Sequence, residues 1–69
     1  MSDREEFITE IERRWPGWDK YIESIISILE GGKYNSVEIP NYCRIERDGN
    51  NISAETYWNK KRYKWRMKP

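Results

Sequence analysis

The 69-residue sequence contains no histidine and one cysteine, Cys43, and these two shortages remove most enzyme chemistry together. Without an imidazole no Ser-His or Cys-His nucleophile pair can form, and one thiolate falls far short of a tetrahedral zinc site. A lone cysteine cannot close an internal disulfide, which fits a reducing compartment. Long apolar runs are missing as well. The longest apolar-rich stretch, Tyr21 to Leu29, is far below the roughly 20 residues of a membrane span. No basic-then-apolar leader opens the chain, so a cytoplasmic protein with no membrane contact is expected, and the sequon Asn51-Ile52-Ser53 carries no weight. Charge of one sign is also missing overall: 13 Lys plus Arg stand against 12 Asp plus Glu.

What is present is bulk. The chain has ten aromatic residues, four of them Trp, together with nine Ile, one Leu and one Val. Such side chains contribute about 1.5–3 kcal/mol each when fully buried, so the high charge content does not imply disorder. The length permits one small domain, residues 1–69, with too little interior for both a core and a deep substrate cavity.

Two helices are predicted, at 3–14 and 19–30. Ser2 followed by Glu5 is a capping-box pattern, and Asp3, Glu5 and Glu6 put negative charge at a helix N-terminus. Phe7, Ile8, Ile11 and Trp15 then form an apolar stripe, which Pro16-Gly17 ends. In the second helix Ile22, Ile25, Ile26 and Leu29 keep the i, i+3, i+4, i+7 spacing, and Tyr21 and Ile28 widen the stripe enough to touch two neighbours. Gly31-Gly32 supplies its stop.

Beyond Gly32 the period becomes two. Val37, Ile39, Cys43 and Ile45 share one parity, with Pro40 marking an edge or bulge. Asp48-Gly49-Asn50-Asn51 has turn chemistry, after which Ile52, Ala54, Thr56 and Trp58, then Tyr63, Trp65 and Met67, alternate with polar residues. The expected fold is α+β, a helical hairpin packed on a three-stranded antiparallel β-meander (ααβββ), with strands at roughly 37–46, 52–58 and 62–67.

Charge is split along the chain: residues 1–38 hold nine acids and five bases, residues 39–69 three acids and eight bases. Strand alternation puts Arg62, Lys64, Arg66 and Lys68 on one outer face, with Lys60 and Lys61 beside them. Such a ladder can follow a phosphate backbone, and Tyr42 and Tyr57, on the outward parity, can offer stacking surfaces. The competing reading is an edge strand protected by cations against aggregation. The acids of the first helix suit capping as well as docking on a basic partner. Cys43 falls on the core parity and reads as a buried, inert thiol. Trp15 and Trp18 bracket the Pro16-Gly17 turn, which makes Trp18 a candidate interface anchor. No catalytic dyad, metal site or cofactor motif is present, so an enzyme is not expected.

The acidic start Ser2-Asp3-Arg4-Glu5-Glu6, the compact Trp15-Pro16-Gly17-Trp18 hairpin and the basic tail Lys60-Lys61-Arg62-Tyr63-Lys64-Trp65-Arg66 resemble, in size and style, small phage-encoded anti-defence proteins of the anti-CRISPR type. That resemblance implies a non-enzymatic inhibitor that occupies a surface of a larger, nucleic-acid-handling partner such as a bacterial defence effector complex. The +1 balance departs from the acidic DNA mimics in that class. The alternative expectation is a small nucleic-acid-binding domain that uses the basic strand directly.

Overall fold

A computed structural model describes residues 2–67, and the chain runs through two helices into four strands. The first helix, α1 (Asp3–Arg14), begins where the Ser2 hydroxyl accepts the Glu5 backbone N–H at 3.3 Å. It ends at a tight turn over Trp15-Pro16-Gly17-Trp18, closed by the Trp18 N–H donating to the Trp15 carbonyl at 3.1 Å. Proline in the second place and a residue with positive φ in the third, here Gly17 at 94°, form the type II pattern. The second helix, α2 (Asp19–Glu30), stops at Gly32, whose φ of 79° and N–H bond to Leu29 provide the left-handed exit.

The strands are β1 (Ser36–Ile39), β2 (Cys43–Asp48), β3 (Asn51–Thr56) and β4 (Lys61–Arg66), paired antiparallel in the order β1-β2-β3-β4. The α+β class and the helical hairpin stand as expected, but the sheet has four strands rather than three. The segment read as one strand over 37–46 is a hairpin. Its turn, Ile39-Pro40-Asn41-Tyr42, repeats the construction of the first: the Tyr42 N–H donates to Ile39 O at 3.0 Å and Asn41 takes φ 71°. Gly49, at φ 61°, leads the two-residue β2–β3 turn. The β3–β4 turn is held by Asn59, whose side-chain oxygen accepts from the Thr56 hydroxyl and from the Lys61 N–H.

Both helices cover one face of the sheet, α1 lying on β4 and α2 on β2 and β3. The core between them is Phe7, Ile11, Ile22, Ile26 and Leu29 against Cys43, Ile45, Ile52, Ala54, Tyr63 and Trp65. The Phe7 ring sits 5.4 Å from Tyr63 and 6.0 Å from Trp65, so the first helix closes on the last strand. At that junction the Asp3 carboxylate accepts the backbone N–H of Lys64 at 3.1 Å and occupies a donor on the free edge of β4. Among the described residues no helix is long and apolar enough to cross a membrane.

Candidate functional site

The face of the sheet away from the helices is uncovered, and the register fixes what it presents. Glu38, Arg44, Glu55 and Arg62 stand opposite one another across all four strands, a row of alternating charge. The next row is Ser36, Glu46, Ser53 and Lys64, and the third holds Asp48, Asn51 and Arg66. Cross-strand neighbours of opposite sign attract, and Arg62 Nε lies 3.6 Å from Glu55 on the adjacent strand, while Lys64 Nζ reaches Asp48 of β2 at 3.6 Å and Arg44 pairs at 3.3 Å with Glu46, two residues along its own strand. Four acids thus meet four bases on one face, around a shallow depression of about 140 Å³ lined by Arg44, Glu46, Ser53, Glu55 and Arg62.

The residues singled out in the sequence therefore divide. Arg62, Lys64 and Arg66 share the outer face as alternation required, with Arg62 and Lys64 engaged by carboxylates of β2 and β3. Lys68 lies outside the described residues. Lys60 occupies the β3–β4 turn at φ 54°, and Lys61 points to the helix side, its ammonium 5.1 Å from the Tyr63 ring centre. Tyr57 keeps the outward parity, but its hydroxyl donates to Glu38 at 2.6 Å, on the opposite sheet edge from β4. That bond to a carboxylate is the main cause raising its pKa to about 12. Tyr42 is the correction. It belongs to the β1–β2 turn and leaves the outer face, with its ring 4.4 Å from Trp15 and 6.2 Å from Trp18. Among the described residues the aromatic and cationic groups needed to stack and neutralise a single strand are thus not assembled together.

A second feature was only partly legible. The two proline turns meet at one end of the molecule and bring Trp15, Trp18, Tyr42 and Trp58 into one cluster, with Trp15 and Trp58 edge-to-face at 4.9 Å. The Arg14 guanidinium lies 4.9 Å from the Trp58 ring centre and 5.5 Å from that of Trp15. Trp15 is half-buried, whereas Trp18 is 40% exposed and stands perpendicular to Tyr21 beside Gly17, around an open recess of about 220 Å³. The sequence offered Trp18 but not Tyr21, Trp58 or Arg14, whose shared location depends on two turns closing together.

Cys43 is fully buried, and burial pushes its thiol pKa up to about 11, which disfavours the nucleophilic thiolate. Among the described residues no group of three or more Cys, Asp or Glu side chains is placed to hold a metal ion. Comparison with protein-family models, with curated proteins and with solved structures gives no match.

Proposed function

We propose that the protein is a non-enzymatic binding domain that blocks a larger nucleic-acid-handling protein, such as a bacterial defence effector complex, by docking its open sheet face. The observation that carries the reading is the alternating charge of that face. A phosphate backbone laid along β4 would meet Glu55 and Asp48 interleaved with Arg62 and Lys64, and would have to displace ion pairs already formed. A protein surface of mixed charge can match such a pattern row by row, which sets register and partner choice. The resemblance in style to phage-type inhibitors implies the same outcome, occupancy of a partner surface without catalysis. The domain carries no catalytic step in this proposal, only occupancy.

Two measurements test it. Expressed in cells with an active RNA-guided interference system, the chain should restore transformation by a targeted plasmid, and Arg44→Glu with Arg62→Glu should abolish that rescue without lowering Tm by more than a few degrees. Fluorescence anisotropy with a random oligonucleotide at about 0.15 M salt should show no submicromolar binding. Submicromolar affinity with a log–log salt slope of about −3 would transfer the function to direct nucleic-acid binding.

A further inference from the structure

The open face of the sheet is electrically two-sided. Among the described residues its β1 and β2 half carries three acids and one base, Glu38, Glu46 and Asp48 with Arg44. Its β3 and β4 half carries three bases and one acid, Arg62, Lys64 and Arg66 with Glu55. The ion pairs within the face leave the long side chains in water, the Arg62 side chain 80% exposed, that of Asp48 67% and that of Lys64 58%. Guanidinium, ammonium and carboxylate groups each serve several hydrogen bonds, so all keep capacity for a group arriving from above.

We propose that this face binds a second copy of itself, face to face about a two-fold axis parallel to the strands, so that the dimer masks the docking surface; the masking rests on the docking role proposed above. Such an axis passes between β2 and β3 and reverses the order of the strands, which lays the acidic half of each copy on the basic half of the other. In the first row Glu38 meets Arg62 of the second copy and Arg44 meets its Glu55, each contact made twice. In the next row the short Ser36 and Ser53 lie opposite the long Lys64 and Glu46. No like charges face each other. The alternative two-fold, with its axis across the strands, lays β4 on β4 and confronts Lys64 and its neighbours Arg62 and Arg66 with the same cations, so charge selects one orientation.

Shape and size agree with the same partner. Sheets stack about 10 Å apart with strands aligned to within about 30°, a gap that a glutamate and an arginine reaching from opposite sides can span. The molecule measures 29 × 26 × 22 Å and exposes 4827 Å² in all. One face in six is on the order of 800 Å², each partner's share of a standard stable interface. Exposed ion pairs are individually weak and are screened by salt, so the dimer has a modest, salt-dependent affinity. Its Kd is on the order of 10–100 µM at about 0.05 M salt and rises at least about tenfold by about 0.5 M.

Sedimentation equilibrium from about 10 µM to about 1 mM, at both salt concentrations, tests the assembly without any substitution. Charge reversal tests its geometry. Glu38→Arg sets an arginine against Arg62 of the second copy, and Arg62→Glu sets a glutamate against Glu38, so each variant alone should stay monomeric. Mixed in equal amounts, the two should form a heterodimer, because both contacts are then of opposite sign. Both sites are exposed, and thermal melts should show each variant folded. A parent that stays monomeric at about 1 mM in low salt overturns the proposal, as does a dimer indifferent to salt. Self-association of either variant, or a mixture that fails to associate, overturns it equally. The docking role fails separately: a parent that dimerises as described yet never restores transformation upholds the self-contact and removes only the docking function.

Discussion

Replacing Asp3 with alanine should loosen the free edge of the sheet, because that one carboxylate serves two elements. It lies in the first turn of α1, where a negative charge stabilises the helix by about 0.3–1 kcal/mol, and it accepts the Lys64 backbone N–H at 3.1 Å. Hydrogen bonds to charged groups contribute about 1.5–3 kcal/mol, but this one is exposed and water can replace the acceptor, so the lower end applies. Together Asp3→Ala should cost about 2 kcal/mol, which for a domain of this size lowers Tm by about 8–16 °C. Asp3→Asn keeps an acceptor and should lose about half as much. Glu5→Gln, which removes a first-turn charge alone, should lose only the helix contribution. Thermal melting by circular dichroism gives the total, and amide hydrogen exchange at Lys64 isolates the bond. If Lys64 exchanges at the parent rate in Asp3→Ala, or if Glu5→Gln costs as much, the bridge between helix and edge strand contributes nothing and the reasoning fails.

Other outcomes follow from the core and from two of the groups whose pKa is raised, Cys43 and Tyr57. Ile22→Ala and Ile26→Ala, both at fully enclosed positions, should each cost about 2–5 kcal/mol in urea titrations, comparable to the total stability of so small a core. Cys43 and Tyr57 hold their protons more tightly folded than unfolded, so their contribution is complete below about pH 9 and is lost as pH rises through about 11 for the thiol and about 12 for the phenol. Chemical denaturation across that window should show Cys43→Ala flattening the fall between pH 9 and 11, worth about 2 kcal/mol, and Tyr57→Phe flattening the part between 10 and 12. Arg14→Ala should cost about 0.5–1 kcal/mol and change Trp fluorescence, since the guanidinium lies over Trp15 and Trp58.

The helices were legible because capping and 3.6-residue periodicity are local signals, and Ser2, Pro16-Gly17 and Gly32 act where the sequence places them. The missing strand has a geometric cause. Ile39 pairs with Cys43 across three intervening residues, and an odd number between partners leaves side-chain parity unchanged, so a hairpin and a continuous strand read alike. The later turns place two and four residues between partners, which reverses parity and made both visible. The turn signature Pro40-Asn41 was present, but Asn at positive φ is a weaker marker than the Gly17 in the matching turn. The same turn carries Tyr42 off the outer face. Arg62, Lys64 and Arg66 stand on the outer face that alternation assigns them, whereas the neutralisation of two of them depends on register, which sets Glu55 beside Arg62 and brings Asp48 within reach of Lys64.

Because α1 packs on β4, this helix leaves the ribosome some fifty residues before the strand that covers it. Phe7 and Ile11 cannot be covered until Tyr63 and Trp65 emerge, and the Asp3–Lys64 bond spans 61 residues. The rest of the sheet is a meander of neighbours that can form as it is made, so the contacts between α1 and β4, far apart in sequence, become the slowest step. A ribosome stalled before residue 63 would therefore hold a chain in which α2 can already lie on β2 and β3 while the inner face of α1 and the edge of β3 stay exposed to chaperones, and completion of β4 would cover both.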